Sequence, residues 1–313
     1  MLAYILRRLA GMLLVMLIVA AVVFVIARVV PGDPAAVMLG AAATPEDIAA
    51  LRGRLGLDQP LLVQFVVYLR QILTLDLGDS IFLNRPVAQA LAERAELTAT
   101  LTLMAAAIAV LIGVPVGLLS AVKRGSGLDQ TVVALAMLAA SVPSFWVGLT
   151  LIKYLAVDLR WFPVAGYGPP EASFGERLHY LVLPAIALGI PNSALIMRFT
   201  RTSMLDVLSE DYVRTARAKG LPPKVVVLKH AFRNALIPVI TVIGLTIAVL
   251  VGGAIVTETV FGLPGVGNLI VSAVLRRDYP VIQGALLVIS GIYVLINLAV
   301  DLLYGVVDPR VRQ

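Results

Sequence analysis

Ionisable side chains are scarce in this chain, and where they gather decides what chemistry it can do. The densest gathering runs from Ser203 to Ile240, SMLDVLSEDYVRTARAKGLPPKVVVLKHAFRNALIPVI, a charged stretch between two strongly apolar ones. Within it Glu210 and Asp211 stand ahead of Arg214, Arg217 and Lys219, so a helix formed here has acids leading and bases trailing, as its dipole favours. The order predicts a short helix with Ser209 as N-cap and Glu210 paired with Arg214 at i,i+4. Gly220 fits the position just past the helix end that asks for positive φ, and Pro222 and Pro223 prevent continuation. Tyr212, Ala216 and Gly220 fall at i, i+4 and i+8, a stripe that narrows from a ring to no side chain. Such a face suits recognition rather than bond-making, because it can enter a groove on another protein. A basic helix lying on anionic lipid is the plainer alternative, but lipid binding needs no Tyr-Ala-Gly stripe.

Other reactive groups give little. No G-x-x-x-x-G-K-[ST] phosphate loop occurs, and Gly265-Val266-Gly267 lacks the lysine such a loop needs, so no ATP site is expected in this chain. With no cysteine there is no thiolate metal site, disulfide or thiol nucleophile. The two histidines, His179 and His230, fall in segments expected on opposite sides of a membrane, so no metal site and no catalytic residue is assigned. Weak polar groups inside the apolar runs, namely Ser141, Ser144, Thr241 and Thr246, together with Glu258 near a run's end, are the candidates for lining a pathway. Most serines and threonines in spans simply bond their own backbone.

The elements that must position these groups are membrane helices. The chain is 60% hydrophobic and 14% charged, the composition of an all-α polytopic membrane protein. Its net charge of +6 need not mean nucleic acid, since basic residues of membrane proteins collect on cytoplasmic loops, and no nucleic-acid partner is expected. Residues 1–30 form the first span; a signal peptide is the competing reading, but the run from Leu9 to Ala27 is longer than a signal core and no cleavage site follows. Pro31-Gly32-Asp33-Pro34 ends it. Residues 31–94 mix acids and arginines and read as an extracytoplasmic helical segment. Thr44 and Pro45 start one helix there. Pro60 starts another, packed and too short to span, which Gly78 closes.

A core of 95–304 follows, with spans at about 99–122, 130–155 (kinked at Pro143), 181–199 (broken by Pro184 and Pro191), 236–257 and 281–303. It carries the charged loop at 203–235 and an external loop from Arg160 to Tyr180, and the stretch from Phe261 to Gly267 reads as irregular. Residues 305–313 form a tail. Six spans put both termini on one side. Basic residues such as Arg7, Arg8, Lys123, Arg124, Arg214, Arg217, Lys219, Lys224 and Lys229 then fall inside, and acids such as Glu46, Asp47, Asp76 and Glu93 fall outside.

The segment around Ala216 and Gly220 resembles the EAA loop of ABC-importer permeases, in the variant found in dipeptide and oligopeptide permeases. Arg214 stands where that family's Glu would be, Thr215 replaces the first Ala, and the later proline comes at Pro238, departures typical of the peptide branch. The runs TLTLMAAAIAVLIGVPVGLLSAVKRG, RRDYPVIQG and VDLLYGVVDPRVR extend the resemblance to the peptide/nickel/glutathione group over almost the whole chain. It implies a type I importer permease fold of six transmembrane helices, MetI-like, with an extracytoplasmic helical insertion after the first span.

It also implies a role, the translocation pathway for dipeptides or oligopeptides, with glutathione or nickel as alternative cargo. No cofactor is implied in this chain; ATP and Mg would be bound by two cytoplasmic ATPase subunits. Their docking would involve Glu210, Asp211, Tyr212, Arg214, Ala216, Arg217, Lys219 and Gly220. A second permease (a homologous different chain), an extracytoplasmic binding protein and membrane lipid complete the implied partners. The implied location is the bacterial cytoplasmic membrane, with both termini cytoplasmic, and the chain would not be an enzyme by itself. An ion-coupled secondary transporter is the alternative of another class. Such proteins keep ionisable groups at mid-membrane, whereas the second, fifth and sixth spans have apolar centres.

Overall fold

The computed structural model describes residues 2–29, 34–39, 43–54 and 56–307. The expected helix stop at Pro31-Gly32-Asp33 and the last six tail residues lie outside them. Among the described residues thirteen α-helices form, in chain order α1 Leu2–Val29, α2 Pro34–Leu39, α3 Pro45–Arg54, α4 Leu61–Leu73, α5 Val87–Val122, α6 Gly127–Ser141, α7 Ser144–Leu151, α8 Phe174–Leu208, α9 Asp211–Ala218, α10 Pro223–Val225, α11 Phe232–Val260, α12 Val266–Arg276 and α13 Tyr279–Val307. π-helical turns at Ile152–Asp158 and Val226–Ala231 continue α7 and α10. Among the described residues five helical stretches are long and apolar enough to cross a membrane, or six when the bent pair of α6 and α7 with its π-turn is counted as one span.

Local chemistry moves several boundaries away from where hydropathy alone puts them. α5 starts at Val87 rather than near residue 99, because the polar stretch before the apolar run is itself helical. Similarly, α8 starts at Phe174 and not at Leu181. A capping box sets that start: the Ser173 side chain accepts from Glu176 N, and the Glu176 carboxylate accepts from Ser173 N at 2.7 Å. Pro184 and Pro191 lie inside α8 without ending it, contrary to the expected break. In spans, neighbouring helices and local adjustment absorb the freed carbonyls. The third span is broken, not merely kinked, with a 94° bend between its halves. Val142 is extended, as a residue before proline prefers, and Pro143 enters α7 as its N-cap. Between Phe261 and Gly265 the chain is irregular as expected, but Val266 then begins α12, which was not expected.

The described residues of 1–96 and 268–294 form one compact unit. In it the Thr44 hydroxyl donates to Asp47 Oδ2 at 2.6 Å and accepts from Asp47 N, the expected start of α3, and this bonding holds the Asp47 carboxyl below its usual pKa. α4 is too short to span at 13 residues and buries none of them fully. It leans on α1 through Phe65 and Tyr68 against Phe24, with Arg28 Nε donating to Gln64 at 2.9 Å. Thr74 caps it, so Gly78 belongs to the next turn and does not close the helix. Asp278, 2% exposed, accepts from the Ser80 hydroxyl at 2.6 Å and from Ile81 N and Phe82 N, tying the loop before α5 to the turn before α13.

The described residues of 97–267 and 295–313 form the second unit, organised on α5, α8 and α11. Their buried side chains meet in successive layers. Leu101 and Ala105 meet Leu188, Leu250 and Ala254; Ala109 meets Ile196 and Val242; Ala121 meets Met204, Ala231 and Ala235. α5 and α8 run in the same direction and touch backbone to backbone. A Cβ on Gly189 would stand 2.7 Å from the Ala105 carbonyl oxygen, one on Gly113 2.7 Å from that of Ser193, and one on Gly117 2.5 Å from that of Met197. Small residues four apart bring helices this close, and the gain is packing along the whole seam.

Candidate docking site

The charged segment is built between the ends of α8 and α11. It is less of a loop than expected: residues 203–208 belong to α8, and from Pro223 the helix runs through to Val260. What lies between is α9 and its two short connections. Ser209 is the C-cap of α8, its hydroxyl on the Asp206 carbonyl at 2.7 Å, so it is not the N-cap of α9. Glu210 takes that position with extended backbone and no capping side-chain bond. Arg214 pairs with Asp211 at 3.2 Å rather than with Glu210, and the two side chains are 71% and 94% exposed, so the pair adds little stability.

The far end of α9 follows expectation closely. Gly220 has φ +73°, Gly220 N bonds the Arg217 carbonyl at 3.0 Å and Leu221 N the Ala216 carbonyl at 3.4 Å. These are the two bonds of a Schellman turn, and Leu221 supplies its usual apolar contact. Nothing lies within 4 Å of a Cβ placed on Gly220, so conformation and not space makes glycine the fitting residue.

The expected stripe is divided between two surfaces. Ala216 faces its own chain, 7% exposed, and with fully buried Val213 packs on Val207, Leu208, Leu221 and Val226. Tyr212 and Gly220 stay at the surface with Arg214, Arg217 and Lys219. Tyr212 leans on the start of α11, where its hydroxyl accepts from Asn234 Nδ2 at 2.7 Å and donates to the His230 carbonyl at 3.5 Å. So α9 is gripped on one side by α8 through Val213 and on another by α11 through Tyr212. Outward it presents the half-exposed Tyr212 ring and a basic rim of Arg214, Arg217 and Lys219, and in the segment that follows Lys224, Lys229 and Arg233 are exposed as well. An exposed helix packed in this way on two long helices is a surface through which another protein can act on both of them.

The other candidates lie apart from this site, and two of them, Thr246 and Glu258, are buried within the chain at 1% and 0% exposure, contrary to the expectation that they line a pathway. Ser141 and Ser144 flank the break between α6 and α7, and Thr241, Thr246 and Glu258 lie along α11. Ser141, Thr241 and Thr246 each donate to the carbonyl four residues back. Glu258 is fully buried: Thr98 Oγ donates to its Oε1 at 2.6 Å while accepting from Val266 N at 2.9 Å, and Gly265 and Gly267 leave room for the carboxylate. His179 stacks on Phe162 with ring centroids 5.1 Å apart.

Two features escaped the reading of the sequence. One is the glycine seam, for which Gly113-x-x-x-Gly117 was the available signal. The other is Asp129, 4% exposed, held by Arg201 through Nε to Oδ1 and Nη2 to Oδ2, both at 2.8 Å. Ser126-x-x-Asp129 was legible as a helix start, but nothing local pointed to the arginine.

Comparison with known proteins agrees with this architecture. Residues 113–313 match the model of the family described as "Binding-protein-dependent transport system inner membrane component", and residues 1–102 match that of its N-terminal part. The chain is 45% identical over 309 residues to the "Probable peptide ABC transporter permease protein y4tP" of Sinorhizobium fredii, covering 99% of each chain. It is 44% identical over 312 residues to the glutathione transport system permease protein GsiC of Salmonella choleraesuis, covering 100% of this chain and 99% of that one. Among solved structures, an inward-facing form of the MetNI methionine ABC transporter is similar in fold, with a TM-score of 0.60 at 21% identity, over 70% of this chain and 97% of that one.

Proposed function

The chain belongs to the family of inner membrane components of binding-protein-dependent transport systems, and on that premise we propose that it is the permease subunit of an ATP-binding-cassette importer for dipeptides or short oligopeptides. The observation that carries the mechanism is α9, exposed on its basic side and gripped by α8 and α11 on the other. Two cytoplasmic ATPase subunits bind ATP and Mg, and one of them receives Tyr212 and the basic rim in a cleft. Closing and opening of the ATPase pair displaces α9, and differential contact with the two states of the pair biases the spans between two arrangements. An extracytoplasmic binding protein delivers the substrate, and a second, homologous permease completes the pathway. Ser141, Ser144 and Thr241 supply weak polar contacts to it, whereas Thr246, 1% exposed, is buried in its own chain. Glutathione is a second reading, motivated by the similarity to a glutathione permease, and uptake of labelled glutathione against labelled alanyl-alanine separates the two.

Uncoupling tests the mechanism. Tyr212→Ala removes the exposed ring, and Gly220→Val forces a branched residue into a left-handed turn at a cost of about 1–2 kcal/mol. In vesicles containing the whole complex, both variants are expected to hydrolyse ATP while taking up much less alanyl-alanine per ATP. Unchanged uptake per ATP in both would remove α9 from the mechanism.

Orientation has a separate test. The chain lacks cysteine, so Gln59→Cys and Lys224→Cys, both at exposed positions, report alone. On intact cells, with any outer membrane made permeable, an impermeant thiol reagent is expected to label position 59 and spare 224. The reverse pattern would place α9 outside, away from ATP.

A further inference from the structure

We propose that Asp129 and Arg201 are positioning residues that lock α5, α6 and α8 into one lever, so that displacement of α9 reaches the spans undiminished; this rests on the coupling reading above.

The carboxylate of Asp129 is saturated. Oδ1 accepts from the Ser120 hydroxyl at the end of α5 and from Arg201 Nε on α8; Oδ2 accepts from Arg201 Nη2 and from Gly125 N in the turn between α5 and α6 at 2.9 Å. Its own amide bonds Ser126 Oγ, the N-cap of α6. One side chain therefore joins two helices and a turn to α8. A two-bond fork between arginine and carboxylate fixes direction as well as distance, which a single contact does not. Its surroundings keep it strong, since the Asp129 side chain is 5% exposed and that of Arg201 24%.

Location gives the clamp its role. Arg201 lies about two turns before α8 ends at Leu208, and only Ser209 and Glu210 separate that end from α9. Val207 and Leu208 are also part of the bed on which Val213 and Ala216 sit. Earlier along α8, the contacts of Gly113 and Gly117 already prevent it from sliding on α5. Beyond Thr200 that seam ends, and the clamp continues it. Without the clamp, the last turns of α8 keep only apolar packing, through Met204 against Ala121, Ala231 and Ala235, which lets them shift with α9 while the rest of the helix stays still, and the force is lost as local flexing.

Spin labels at Gln130→Cys on α6 and Thr215→Cys on α9, both exposed positions in a chain without cysteine, measure this directly in the complex with its ATPase and permease partners. With the clamp intact, the α6–α9 distance is expected to stay single and unchanged between nucleotide-free and ATP-bound states. Asp129→Asn and Arg201→Gln are expected to split or shift it on ATP binding. ATP hydrolysed per alanyl-alanine taken up should rise clearly above that of the unaltered complex. Arg201→Lys, which keeps the charge without the fork, should fall between. Should Asp129→Asn fail to accumulate, Ser120→Ala removes one of the donors and gives the same comparison.

A lower melting temperature with unchanged distance and unchanged ratio would make the clamp merely structural and overturn the proposal. If Tyr212→Ala and Gly220→Val uncouple while the clamp variants do not, this proposal alone falls. If none of them uncouples, the coupling reading falls and the clamp's role with it.

Discussion

Gly117→Val is expected to prevent the folded permease from accumulating. A Cβ at this position meets the Met197 carbonyl oxygen at 2.5 Å and Thr200 Cβ at 2.8 Å, and backbone cannot turn aside as the end of a side chain can. Overpacking a tight contact costs about 1–3 kcal/mol where side chains can yield, so a clash with helix backbone should lie at or above that range. The only relief is separation of α5 from α8, which would also open the layers that bury Leu101, Ala105, Ala109 and Ile196. Gly113→Val should act alike, since its Cβ meets the Ser193 carbonyl oxygen at 2.7 Å and Ile196 Cβ at 2.8 Å. Gly252→Ala is the control. It is also helical but has nothing within 4 Å of its Cβ, and it should be neutral or slightly stabilising. Size-exclusion profiles of detergent-solubilised protein distinguish these outcomes. A normal monodisperse peak for Gly117→Val would mean that α5 and α8 are not packed through this seam.

The second large effect is expected at Thr98. Its hydroxyl serves two buried groups at once, donating to the Glu258 carboxylate and accepting from Val266 N. Thr98→Val keeps the shape and deletes both bonds. A hydrogen bond contributes about 0.5–1.5 kcal/mol, and one to a charged group about 1.5–3 kcal/mol, so the two losses together should lower the melting temperature markedly. Thr98→Ser should restore most of it. Glu258→Gln keeps an acceptor for the hydroxyl and should be milder than Thr98→Val, whereas Gly265→Val, whose Cβ falls 2.3 Å from the carboxylate, should be as severe. Equal melting temperatures for Thr98→Val and Thr98→Ser would show that the hydroxyl holds nothing together.

How much of the docking site was legible depends on the range of the interaction concerned. The turn at Gly220 is decided within six residues, by a glycine in the left-handed region and two prolines after it, and it was read correctly. The N-cap was misplaced by one residue. Ser209 and Glu210 compete for the same junction, and the junction belongs to α8 as much as to α9. Which side of α9 faces inward was not legible at all. Val213 with Ala216 and Tyr212 with Ala216 are both acceptable helical stripes, and the choice was made by Val207, Leu208 and Val226 arriving from neighbouring helices.

By itself, then, the sequence determined what depends on composition and on neighbours along the chain: a helical membrane protein, about where its apolar runs lie, the start of α3 and the end of α9. Partition of long apolar runs into lipid and backbone propensities at glycine and proline are local quantities, additive over a window. Only the tertiary structure decided the 94° break of the third span, the glycine seam, the cradle of Glu258 and the ion pair between Asp129 and Arg201, residues 72 apart in the chain. A buried charge or a bare helix surface is stable only when a specific partner meets it at contact distance. That meeting is a property of how the helices pack, which no window of sequence contains.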